Sequence, residues 1–285
     1  MAATVTDFHY GAVTPVAAYL MACLGSALGL RCTVRSIRQG PRSRKNGWLS
    51  LAAVSLGCGI WTMHFIAMMG FRADGSDISY DTPLTLLSLA VAIAVTAVGV
   101  FLVGHLGSRV RVLAVAGVLM GLGVAAMHYI GMAAMRVHGR MHYDTVTVAL
   151  SVLIAVVAAT AALWAAVTIR SLWSSLGASL VMGLAVSGMH YTGMAAVSVQ
   201  VDHAGTTSGQ SSIDQLSFLL AMIAGPVIML IVAVTIVMFD PDLVLGDESR
   251  PVPRTNVAHT EVTGSAAGLY DQLLADANTP EHQRR

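Results

Sequence analysis

Charge is scarce in this chain. Asp, Glu, Lys and Arg make up 11% of its 285 residues, against about 25% in an average soluble domain. The deficit is concentrated: seven apolar blocks, approximately 12–30, 49–70, 83–106, 112–135, 146–169, 176–197 and 215–239, hold no Asp, Glu, Lys or Arg. Each absence excludes a function. The single lysine, Lys45, lies between blocks, so no membrane lysine is present to form a retinal-type Schiff base. No carboxylate lies within a block, which argues against an ordinary proton-coupled transporter. Three cysteines, Cys23, Cys32 and Cys58, are an odd number without paired spacing and give no disulfide framework. No basic region precedes the first block, which reads as a retained helix and not a cleaved signal. No nucleophile–base pair, phosphate-binding loop or nucleic-acid surface stands out, so the sequence points neither to an enzyme nor to a nucleic-acid partner.

What is present is apolar length. Mean hydropathy is +0.71 and 55% of residues are hydrophobic. A bilayer-spanning helix needs about 20 predominantly apolar residues, and all seven blocks come close to or exceed this. A soluble helical core would show polar faces at a period of about 3.6 residues, and the blocks lack them. The expected fold is all-α: a polytopic membrane protein of seven transmembrane helices over residues 1–240, with the lipid bilayer as its first partner. Residues 241–285 turn to Pro, Gly, Ser, Thr and charge and are expected to form a short cytoplasmic tail, largely disordered. Within it, 266–277 offers a short helix with Leu269, Leu273 and Leu274 on one side as the alternative.

Basic residues set the orientation. Of the 16 Lys and Arg residues, all but Arg72, Arg136 and Arg140 fall in the odd-numbered gaps or the tail, led by Arg31, Arg35, Arg38, Arg42, Arg44 and Lys45 in the first gap. This predicts N-terminus outside and C-terminus inside.

An internal repeat runs through the even blocks. They carry Met63-His64-Phe65-Ile66-Ala67-Met68, Met127-His128-Tyr129-Ile130-Gly131-Met132 and Met189-His190-Tyr191-Thr192-Gly193-Met194. Gly57, Gly121 and Gly183 each precede the histidine by seven residues, and Gly117 adds a Gly-x-x-x-Gly pair. The unit is therefore two helices repeated three times in parallel, with one helix left over and a repeat axis along the membrane normal. At ~100° per residue, the histidine and the methionine four residues on share a face, while the methionine before the histidine lies about 100° away. Small residues at i+3 and i−7 allow close helix approach at the histidines. Phe65, Tyr129 and Tyr191 are expected at the outer interface, where aromatic rings are enriched.

One histidine on an apolar helix is ordinarily a packed core residue. Three at one depth are not required for packing, and an ionisable group inside the membrane is a functional signal. The candidate metal ligands are His64, His128 and His190, then Met68, Met132 and Met194, then Met63, Met127 and Met189. Imidazole with thioether and no carboxylate favours copper. Three imidazoles alone also suit zinc, and two facing imidazoles suit a b-type haem. Cys58 reads as a small buried apolar residue. His9, His138, Met141, His142 and His203 lie in outer loops, placed to relay metal.

The three Met-His-(Phe/Tyr)-x-(Gly/Ala)-Met sequences closely resemble the MHYT domain, a membrane sensor module of bacterial signalling proteins, over roughly residues 8–240. Only the third copy reads Met-His-Tyr-Thr in full; Phe65 replaces Tyr in the first and Ile130 replaces Thr in the second. The resemblance implies a seven-helix sensor binding copper through these Met and His residues and sensing a diatomic gas (oxygen, carbon monoxide or nitric oxide). Family members are often fused to signalling enzymes, whereas the tail here has no room for one, so an output partner is expected to be a separate protein. Copper handling and a purely structural scaffold are the competing functions.

Overall fold

The structure is a computed structural model that describes residues 5–6, 11–38, 42–73, 78–137, 139–169, 171–201 and 212–240. Residues 1–240 form one compact unit. The predicted tail, its 266–277 segment and the loop residues His9, His138 and His203 lie outside the described residues.

The described residues form seven helices: α1 Val13–Arg38, α2 Arg42–Met69, α3 Thr82–Leu106, α4 Val110–Ala134, α5 Thr145–Thr168, α6 Leu172–Ala195 and α7 Ser212–Met238. Their starts follow local chemistry. The Asp81 carboxylate accepts the Leu84 N–H, with Pro83 in the first turn of α3. Asp144 accepts from Thr147 N–H at α5 and Ser171 from Ser174 N–H at α6. Each side-chain oxygen satisfies one of the amide donors left free at a helix start.

This is a multi-pass membrane protein. Six of the helices are long and apolar enough to cross a bilayer. The exception, α6, is as long as α5 at 24 residues, but Ser174, Ser175, Ser179, Ser187 and four glycines dilute its hydropathy. Burial is arranged for lipid. Leu86, Leu87, Leu119, Leu153, Val157, Leu184 and Ile231 face outward, whereas Ser26, Ser88, Thr96 and Ser151 are buried. Several of the buried hydroxyls are satisfied locally, as by Thr33 donating to the Gly29 carbonyl and Ser151 to Val148. Thr96 also donates to the Ala53 carbonyl, tying α3 to α2.

Helices α1 to α6 form a ring in sequence order: each packs on its chain neighbours, and α6 closes onto α1. The leftover helix is α7, which packs mainly against α2. Short strands, not anticipated from the sequence, close each repeat at the end where the motifs lie. β1 (Val5–Thr6) pairs with β2 (Arg72–Ala73), β3 (Ile78–Tyr80) with β4 (Met135–Val137), and β5 (Gly139–Tyr143) with β6 (Val197–Val201), all antiparallel. The true unit is thus strand–helix–helix–strand. The Asp81 and Asp144 N–H groups donate to the Ala134 and Ala196 carbonyls, joining each pair at the same place.

Candidate metal centre

His64, His128 and His190 lie five or six residues before the ends of α2, α4 and α6, which sets them at one depth. All three are 1% exposed, and they meet. Their Nδ1 atoms form a triangle with sides of 3.0 Å (His64–His190), 3.2 Å (His64–His128) and 3.3 Å (His128–His190). Among the described residues no thiol or carboxylate joins them. The rings stand nearly perpendicular to one another, with interplanar angles of 78° to 88°.

Three neutral imidazoles cannot satisfy this triangle by themselves. One N–H serves one edge, and the other edges then oppose lone pairs or crowd protons. A central cation satisfies all three nitrogens together. Imidazoles bound tetrahedrally at about 2.0–2.1 Å place their nitrogens about 3.3–3.4 Å apart, close to the observed sides, so the donor set fits a metal ion.

The surroundings fix the rings by shape. A Cβ at Gly131 would come within 2.5 Å of His64 Nε2, and one at Gly193 within 2.5 Å of His128 Nε2. Each of these histidines therefore packs against the i+3 glycine of the next motif helix. Both Nε2 atoms are buried without a hydrogen-bond partner, so packing orients them where a second-layer acceptor usually would. The i−7 glycines act elsewhere. Gly57 lets α2 approach Ile93 on α3, Gly121 lets α4 approach Val156 on α5, and Gly183 lets α6 approach Cys23 on α1. They close the ring; they do not line the histidine contact.

The residue after each histidine meets it edge-on, with centroid separations of 4.8, 4.9 and 5.0 Å for Phe65, Tyr129 and Tyr191. Phe65 is fully buried against Trp61 and not at an interface, because the strands and Tyr80 cover its end of α2. Tyr129 shares a 2.7 Å hydrogen bond with Ser151 on α5.

The two methionine sets part company. Met68, Met132 and Met194 gather in one buried cluster with Phe71, Met135 and Val199, and the half-buried Met141 packs on it. Met63 lies instead with Ala18, Ala22 and Ala67, and Met127 and Met189 with Trp61 and Phe65. Their 100° offset points them between neighbouring helices. Met135 was not anticipated; its place immediately after a motif helix was the only clue. Cys58 packs with Leu28, Leu230 and Ala233, and His142 is exposed on β5.

On the other side of the histidines, the His−4 residues Ile60, Val124 and Val186 and the His−8 residues Leu56, Met120 and Met182 line an apolar void of about 30 Å³. An apolar void of this kind stays dry.

A profile described as a bacterial signalling protein N-terminal repeat, MHYT, matches the chain three times, over residues 57–116, 121–179 and 183–244. The chain belongs to the MHYT family. Each match opens within a motif helix, so the family repeat is cut out of phase with the strand-closed pairs. The bifunctional diguanylate cyclase/cyclic di-GMP phosphodiesterase MucR of Pseudomonas aeruginosa is 37% identical over 235 residues, covering 80% of this chain and 33% of MucR. The cyclic di-GMP phosphodiesterase NbdA of the same organism is 38% identical over 70% of this chain and 26% of its own length. The signaling protein YkoW of Bacillus subtilis is 30% identical over 65% of this chain and 24% of its own. The chain thus spans about a third or less of the length of these relatives. No solved structure matches it significantly.

Proposed function

We propose that this MHYT protein is a metal-dependent sensor of the bacterial cytoplasmic membrane, in which the Nδ1 atoms of His64, His128 and His190 hold one copper ion. The convergence of three imidazole nitrogens to within 3.3 Å carries this reading. The buried thioethers of Met68, Met132 and Met194 support copper over zinc, since sulfur favours Cu(I). Three rings aimed at one point, two of them packed against glycine, leave no face for a haem macrocycle. Copper held by these three histidines would supply a soft centre for binding a diatomic molecule such as O2, CO or NO. The dry void beside the histidines gives such an apolar molecule room. Because the three motif helices share the site, a change at any one histidine bears on all three helix pairs. The MHYT relatives point to signalling as the outcome, through an output partner.

A second reading rests on the cluster of Met68, Met132, Met135 and Met194 with Met141 at its edge. A run of thioethers between the strands and the histidines also suits passage of a Cu(I) ion, which would make the protein a copper carrier. Metal analysis and an optical spectrum of the purified protein test the first claim. One copper per chain with no Soret band is expected; haem absorption or no metal would overturn it. In a deletion strain, lost response to a gas with unchanged copper tolerance favours sensing, and changed copper tolerance favours handling.

A further inference from the structure

The end of the bundle opposite the histidines carries a second feature. Between α2 and α7 the surface opens into a groove of about 380 Å³, lined by Gly47, Trp48, Leu51 and Val54 on one side and Met229 and Ile236 on the other, with Arg44 at its mouth. A Cβ at Gly47 would meet nothing within 4 Å, so the glycine leaves real space. Arg44 is exposed. It has no ion pair or hydrogen bond among the described residues. Arg35, by contrast, is engaged: it pairs with Asp240 at 2.6 Å and lies 5.8 Å over the Trp48 ring.

An apolar slot with an exposed arginine at its mouth, one turn beyond a tryptophan, has the layout of a phospholipid: chains, interface, phosphate. We propose that the groove binds one anionic phospholipid, an acyl chain lying along Leu51, Val54, Met229 and Ile236 and the phosphate meeting Arg44. The lipid joins α2, which carries His64, to α7, whose end is held through Asp240, Arg35 and Trp48. This site is independent of the metal reading.

Fluorescence quenching of Trp48 tests it. Full-length protein with Trp164→Phe and Trp173→Phe, both rings being exposed to bulk lipid, is reconstituted in phosphatidylcholine vesicles. Part of the lipid is either phosphatidylglycerol or phosphatidylcholine brominated on its acyl chain. Trp61 is fully buried and serves as the unquenched reference. Brominated phosphatidylglycerol is expected to quench at a lower mole fraction, by roughly fivefold per cation engaged. Arg44→Gln should equalise the two lipids, and Gly47→Leu should fill the groove and remove quenching by both. Equal quenching by the two lipids in the parent protein would overturn the proposal. So would a phosphatidylglycerol preference that survives Gly47→Leu, or Trp48 protection lost only on diluting the protein in the bilayer, which would put a second copy in the groove.

Discussion

His64 and His190 stand 126 residues apart in the chain, yet their Nδ1 atoms lie 3.0 Å from each other inside the membrane region. Two like nitrogens this close need something between or beside them, and His128 adds a third at 3.2 and 3.3 Å. The contact ties the first repeat to the last and makes the site a property of the closed ring. No single helix pair contains it.

The glycines beside the rings should matter as much as ligands do. Gly131→Ala or Gly193→Ala puts a methyl group onto a histidine Nε2, and overpacking of this kind costs about 1–3 kcal/mol. Copper affinity is expected to fall by roughly tenfold or more, as with other loss of ligand support. Gly188→Ala, on the same helix as Gly193 and facing open space, should leave affinity unchanged and should not lower the melting temperature. Equal effects at Gly193 and Gly188 would mean that the rings are not held by this contact.

The methionine sets should separate in a titration. Met132→Leu removes a thioether from the cluster beside the histidines and should weaken Cu(I) more than Cu(II). Met127→Leu, in the layer with Trp61 and Phe65, should behave like the control Met229→Leu and leave both affinities alone. A Cu(I) loss at Met127 as large as at Met132 would reverse the assignment.

Much of this fold was legible in the sequence because lipid is a uniform solvent. The apolar blocks mark where the bilayer lies, and the observed helices cover them. They part where hydropathy stops being informative: α1 runs on to Arg38 and α2 begins at Arg42, since arginine and lysine are good helix formers outside the hydrocarbon. The strands were not legible. Pieces of two to five residues such as Gly139–Tyr143 carry too little pattern, and their pairing depends on the ring being closed. The histidine convergence followed from the repeat. Rotation about each helix separated the two methionine sets, but which neighbours Met63 or Met127 would meet depended on the order of helices around the ring.

Topology can be checked by reporter fusions. Placed after Arg44, Asp77, Arg140 and Arg170, they should read inside, outside, outside and inside. The stretch from Arg31 to Lys45 holds the strongest basic signal, so an outside reading at Arg44 would contradict the orientation.

The caps at the motif end predict an acid sensitivity. Asp81 is held below the usual carboxylate range by the Leu84 N–H and by Arg136, and Asp144 by the Thr147 hydroxyl and N–H. Stability from a depressed acid is present above its unfolded value of ~3.9 and is lost as pH falls through its folded value. Melting of the detergent-solubilised protein should therefore drop on acidification through that range, and less so in Asp81→Asn/Asp144→Asn. Identical acid dependence in the two proteins would remove the caps from the account.

The most direct test is the copper content of protein in which His64, His128 and His190 are all replaced by Ala, measured beside the parent and each single variant after extraction from membranes. The account predicts about one copper per chain in the parent, strongly weakened binding in each single variant, and none in the triple variant, with the helical content of all unchanged. Full copper occupancy in a folded triple variant would make the histidine triangle a packing feature and contradict the metal centre.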